Sequence, residues 1–171
     1  MRENNSISLK KLKSFLQWES FNWGRGIGFW FEVLKKYSPD WEKVKVLEIG
    51  GGWRGEISLI FAHLGAKKVV CSDINKKSLE KAKELHQKYN QLLKTQITYE
   101  VIDALKIPYD VFFTIIAFKS VLGGVSKNGR NELKYQMIKE IYKALAPEGY
   151  LLFVENLEGC LLHKFLRKKI Y

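Results

Sequence analysis

The residues with the clearest chemical potential are Gly50-Gly51-Gly52-Trp53-Arg54-Gly55, a G-x-G-x-x-G spacing set between an apolar run and a helix-like one. Glycines there permit a tight turn and let a ligand approach the backbone, while the following helix N-terminus offers unpaired N–H groups. The bare pattern also describes a plain glycine turn, and only its place between strand and helix makes it a candidate ligand loop. Asp73 stands 18 residues beyond Gly55, at the end of the next apolar run. A carboxylate at that point can accept hydrogen bonds from both ribose hydroxyls of an adenosine. Asp73 is equally placed to cap a helix starting near Asn75, and the two roles can coexist.

Glu48 decides which adenosine. In nicotinamide enzymes a pyrophosphate lies over the glycine loop, and the residue two before the first glycine is ordinarily apolar. A carboxylate beside a pyrophosphate is repulsive, whereas it suits a cofactor with an ammonium group and no phosphate. That chemistry points to S-adenosylmethionine.

These residues need elements to hold them. Lys45–Ile49 reads as a short strand ending in glycines, and Lys68–Ser72 as a second buried one. Residues 96–102 and 111–118 read as a third and a fourth strand, and Tyr150–Val154 as a fifth. Ile57, Ile60, Phe61 and Leu64 recur at helical spacing up to a stop at Gly65. Leu79, Ala82, Leu85 and Tyr89 mark a second amphipathic helix. Leu133, Met137, Ile141, Ala144 and Leu145 mark another, ended by Pro147 and Gly149, and residues 161–170 look helical. Strands alternating with helices imply βαβ units and a parallel sheet, and near-continuous apolar strands fit a sheet covered on both faces.

The motifs in this order resemble a class I S-adenosylmethionine-dependent methyltransferase of the methyltransferase-domain superfamily. The matching residues are Val46-Leu-Glu-Ile-Gly-Gly-Gly52, Cys71-Ser-Asp-Ile74 and Val101-Ile-Asp-Ala104. Asp110 to Ser120 is similar to the fourth-strand motif, and Leu145 to Phe153 to the turn that leads into strand five. The resemblance implies a Rossmann-like, doubly wound α/β fold with a mainly parallel sheet in the order 3-2-1-4-5. It implies that Gly50, Gly51 and Gly52 approach the methionine half of the cofactor beside Glu48. Asp73 would bind the ribose, Ile74 would pack on the adenine, Asp103 would accept from its amino group, and the Ala104 backbone would reach the ring edge. Phe118, Lys119 and Ser120 would line the cofactor through strand-end backbone groups. The family's third loop glycine falls at Arg54, so Trp53 and Arg54 project toward the cofactor carboxylate or merely outward. The family fold continues to further strands, while this sequence reaches Tyr171 near its fifth. A sheet truncated after strand five is therefore expected, with an open strand edge that invites a homo-oligomer.

A single domain is expected over 1–171: a helical, aromatic-rich extension at 1–42, a cofactor-binding core at 43–156 and a C-terminal helix at 157–171. The extension holds Trp23-Gly-Arg-Gly26, where Trp23 and Arg25 suit either a mobile clamp or a plain turn. Methyl transfer needs a general base only for poorly acidic acceptors. His163, with Arg167 one helical turn on, is the candidate pair, its alternative being a solvated helix face. Glu155 and Asn156, where a strand ends, are candidate acceptor contacts. His63 and His86 are read as surface residues.

The 171 residues carry 29 Lys and Arg against 18 Asp and Glu, a net charge of +11. The excess is spread along the chain and speaks chiefly to a lysine-rich surface. With 46% hydrophobic residues the chain has the material for a core, which excludes wholesale disorder. Cys71 and Cys160 are too few for a disulfide scaffold or a four-thiolate zinc site, and no metal is expected. No stretch is long enough to span a bilayer, and residues 1–5 lack the apolar segment of a secretory signal, so a cytoplasmic setting is expected. The expected activity is methyl transfer to a small or medium acceptor: a saccharide, a lipid-linked group or another metabolite. The alternatives are an RNA methyltransferase, supported only by charge, and a cofactor-binding domain without catalysis.

Overall fold

The computed structural model describes residues 40–126 and 130–155. Its elements begin with β1 (Lys45–Ile49), α1 (Glu56–Leu64), β2 (Lys68–Asp73), α2 (Lys76–Gln87) and β3 (Ile97–Val101). They continue with β4 (Phe113–Lys119), the short α3 (Leu122–Val125), α4 (Glu132–Ala144) and β5 (Leu145–Val154). The five strands pair in parallel in the order β3-β2-β1-β4-β5, the Rossmann-like arrangement expected. The chain winds outward from β1 to β3 and then returns to β4 on the other side of β1. Ligands bind in such open sheets beyond the strand C-termini where the winding reverses.

The strands are apolar throughout because alternate side chains enter two different cores. Val46, Val69, Cys71, Ile115 and Ala117 face one layer with Ile57, Ile60, Phe61 and Leu79. Leu47, Ile49, Val70, Ile116 and Phe118 face the other with Met137, Ile141 and Ala144 of α4. Each fully buried Leu, Ile or Phe contributes about 1.5–3 kcal/mol through removal of apolar surface from water. No helix of the described residues is long and apolar enough to cross a membrane.

Three expectations need correction. Strand five begins at Leu145 rather than Tyr150. Leu145 already pairs with Phe113, and the register then slips so that Tyr150 meets Ile115. The extra residues 146–149 form a bulge around Pro147, which cannot donate to a ladder, and Glu148 sits at φ 61 within it. The last α4 carbonyls are satisfied across the chain, Lys143 accepting from Val111 and Ala144 from Phe112, so no loop is needed between helix and strand. Second, α3 was not anticipated, because Gly123 and Gly124 hide a helical turn. Third, neither His63 nor His86 is a surface residue. Every α1 position from Glu56 to His63 is buried, and His63 Nδ1 lies 2.6 Å from the Leu92 carbonyl. On α2 the buried positions are Leu79, Ala82 and His86, so His86 faces the core and Leu85 moves to the flank.

Candidate functional site

Gly55 opens α1 without a side chain that could cap it. The cap comes from β1 instead: the Glu48 carboxylate accepts from Ile57 N at 3.3 Å and Ser58 N at 2.8 Å, and also from the Ser58 hydroxyl. Glu48 is thereby only 2% exposed. It lies beneath the glycine loop and shapes the site through the helix terminus. Ser72 Oγ donates to the Glu48 carbonyl at 2.7 Å, tying β2 to β1 at this level.

Asp73 closes the loop from the next strand. Its Oδ2 accepts from Gly52 N at 2.9 Å and its Oδ1 from Asn75 N at 2.8 Å. Asn75, not Asp73, caps α2, accepting from Lys77 N and Ser78 N. Each carboxylate oxygen of Asp73 retains a second acceptor direction. Two backbone donors therefore orient a carboxylate at the strand's C-terminal end. Asp103 is set similarly after β3, its Oδ1 accepting from Leu105 N at 2.9 Å.

A cleft of about 490 Å³ lies over these strand ends. Of the expected residues, Gly50, Asp73, Ile74, Asp103, Ala104 and Ser120 line it. Ile74 is 67% exposed there, an apolar surface standing in water beside two carboxylates. Ile49, Ile102, Leu105, Val121, Gly124, Val125, Arg130 and Leu133 complete the wall and were not anticipated. Most of these come from the segments after β3 and β4; the rule that loops at strand C-termini build such sites was the available signal. A side chain on Gly50 would approach Val121 Cγ2 to 2.6 Å, so this glycine packs the loop against the chain leaving β4.

The remaining expected residues lie outside that wall. Phe118 is fully buried and stacks on Phe153, with ring centroids 5.3 Å apart. Lys119 Nζ lies 2.9 Å from Glu56 Oε1, which also accepts from Arg54 Nε at 3.2 Å. Arg54 turns inward to this part-buried pair while its guanidinium lies 5.0 Å from the ring of Trp53, which is half exposed. Neither side chain enters the cleft. Glu155 Oε2 accepts from Leu122 N at 2.9 Å and so fastens α3 to the end of β5. Trp23, Arg25, Asn156, His163 and Arg167 lie outside the described residues. A second, larger hollow of about 740 Å³ borders β3 at its N-terminal end, among Lys83, Gln87, Asn90 and Lys94. It contains none of the motif residues and sits at the wrong end of the strand for the sheet's ligand crevice.

Burial, reinforced by the nearby Glu56 charge, raises the Glu48 carboxyl to about 7 from its ordinary 4.5. A raised carboxyl stabilises the fold fully below its unfolded value and loses that contribution as pH rises through the folded one. The window is therefore about pH 4.5 to 7, and the contribution is on the order of 3 kcal/mol. Buried His86 runs oppositely, since a lowered imidazole loses stability as pH falls. Comparing wild type with Glu48→Gln isolates the first effect. The variant is expected to gain melting temperature relative to wild type between pH 5 and pH 8; a difference independent of pH would refute it.

A family profile described as "Methyltransferase domain" matches residues 47–153, which is most of the described region. Among solved structures, the chain is similar to a SAM-dependent methyltransferase of Methanosarcina mazei. The two are 27% identical with a TM-score of 0.65, over 81% of this chain and 63% of that one. A protein of Pyrococcus horikoshii OT3 matches in fold at 24% identity and TM-score 0.60, over 82% of this chain and 61% of that one. The Haemonchus contortus phosphoethanolamine N-methyltransferase 1, solved with phosphoethanolamine and S-adenosylhomocysteine, shares the fold at 16% identity and TM-score 0.59. That match covers 74% of this chain and 25% of the other. This chain thus spans less than two thirds of the length of each of these structures. A search of curated proteins returns no significant match.

Proposed function

The chain belongs to the methyltransferase-domain family, and from that premise we propose that it binds S-adenosylmethionine in the cleft over β1, β2 and β4 as a methyltransferase. The observation that carries this reading is the Asp73 carboxylate, held by Gly52 N and Asn75 N at the cleft wall beside exposed Ile74. This pair fits a ribose diol and the adenine face next to it. The Asp103 oxygen not bonded to Leu105 takes the adenine amino group, while the Ala104 backbone, Gly50 and Ser120 complete the holding surface. The bound cofactor supplies a methyl group on a positive sulfonium.

The distinction from a dinucleotide rests on Glu48. Dinucleotide folds set a pyrophosphate on the helix N-terminus after the glycine loop. Here the N–H groups of Ile57 and Ser58 already point at the Glu48 carboxylate. The anion position is filled from within the chain, and these N–H groups are no longer open to a pyrophosphate. Glu48 thus favours a phosphate-free cofactor by occupying the helix terminus.

In-line methyl displacement draws much of its rate from alignment. The protein's part is to fix the adenosine end through Asp73 and Asp103 and to keep the loop rigid through Glu48. The acceptor proposed is a small or medium metabolite, in keeping with the phosphoethanolamine named for the Haemonchus enzyme. Calorimetry on the full chain tests the cofactor directly. Micromolar S-adenosylhomocysteine binding is expected, about −8 kcal/mol, with NAD at least tenfold weaker. NAD binding as tightly, or no S-adenosylhomocysteine binding by the folded protein, would overturn the reading.

A further inference from the structure

His86 is 1% exposed, yet it sits between two polar partners contributed by other elements. Its Nε2 is 2.6 Å from the carbonyl of Arg54 in the glycine loop, and its Nδ1 is 2.7 Å from the Tyr99 hydroxyl on β3. A carbonyl can only accept, so Nε2 must carry the proton; a neutral imidazole then has a lone pair on Nδ1, and Tyr99 must donate to it. The relay runs in one direction, from the β3 hydroxyl through the α2 imidazole to the loop carbonyl. Burial lowers the proton affinity of the ring, which keeps it neutral and the direction single. Burial also raises Tyr99, so its hydroxyl keeps the donated proton.

The contact is steric as well as polar. A side-chain carbon on Gly55 would come within 2.8 Å of His86 Cε1, so the ring is packed against the loop's last glycine. Within the same loop Gly55 N donates to the Gly51 carbonyl at 2.8 Å, and Gly52 N donates to Asp73. Slack at Arg54 and Gly55 therefore reaches the donor that orients the Asp73 carboxylate.

We propose that His86 is a positioning residue: with Tyr99 it pins the Arg54 carbonyl and so sets the glycine loop and the Asp73 carboxylate for ligand. The consequence for S-adenosylhomocysteine rests on the cofactor reading above, whereas the consequence for loop order does not.

The test uses the full chain. In wild type, nitrogen-15 spectra of the histidine rings are expected to show protonated Nε2 and a lone-pair Nδ1 at His86; the reverse pattern overturns the relay. His86→Leu keeps bulk and removes the donor, and is expected to weaken S-adenosylhomocysteine binding about tenfold while remaining folded, the effect of one buried hydrogen bond lost. His86→Gln places an amide N–H near the Nε2 position and is expected to recover affinity to within about threefold of wild type, because the donor is restored. Tyr99→Phe is expected to give an intermediate loss. His86→Leu that binds as wild type overturns the proposal, as does His86→Gln no better than His86→Leu. If His86→Leu fails to fold, the wild-type spectrum and the glutamine and Tyr99→Phe variants decide. If wild type itself binds no S-adenosylhomocysteine, the cofactor reading fails; amide exchange at Gly52 then decides, faster in His86→Leu than in His86→Gln supporting the relay and equal rates overturning it.

Discussion

Asp73→Ala is expected to weaken S-adenosylhomocysteine binding about a hundredfold, because two hydrogen bonds to one charged group are lost together. The carboxylate does two things at once. It presents acceptor directions to the ribose, and it holds Gly52 N and Asn75 N in place. Asp73→Asn separates them: one amide oxygen remains to accept, without the charge, and a loss of about tenfold is expected. Calorimetry on both variants, alongside circular dichroism, makes the comparison. Wild-type affinity in a folded Asp73→Ala protein would remove Asp73 from the site, and with it the observation on which the proposed function stands.

Gly55→Ala is expected to cost about 3 kcal/mol of folding stability and to lower ligand affinity with it. The residue has φ 53, where an L side chain costs about 1 kcal/mol. The added methyl group would also lie 2.8 Å from both Cys71 Sγ and His86 Cε1, short and well-anchored groups that cannot swing aside. Overpacking of this kind adds about 1–3 kcal/mol. Gly52→Ala is the control. It has nearly the same φ, 62, but no atom lies within 4 Å of the added carbon, so only the backbone cost of about 1 kcal/mol applies. Equal destabilisation of the two variants in denaturant unfolding would show that steric contact beneath the loop does not matter.

Much of the core was legible because its signals are local. Lys45–Ile49 coincides with β1, and Gly65 ends α1 in the left-handed conformation expected of a glycine stop. The parallel sheet followed from alternation of strands and helices, its order from the family resemblance, and Asp73 from its place at the end of β2, since backbone periodicity and strand ends are properties of short segments. Burial of polar groups was not local in this sense. Leu85 and His86 are consecutive on α2; helical period from Leu79 and Ala82 points to position 86, and only hydrophobicity favours the leucine. The Tyr99 hydroxyl and the Arg54 carbonyl, 13 and 32 residues away in sequence, satisfy both ring nitrogens and let the histidine go inside. Glu48 was read as an acid beside the methionine half of the cofactor, and its place under the start of α1 was not legible, because it depends on where that helix begins. The cleft wall from Val121, Arg130 and Leu133 is likewise a product of topology: β4 returns beside β1, and the segments after it reach strand ends read much earlier in the chain. The sequence by itself thus determined where strands and helices lie and which acids stand at the strand ends, because those depend on local pattern. Only the tertiary structure decided which polar atoms meet in the interior, because each buried donor needs an acceptor that sequence distance does not predict.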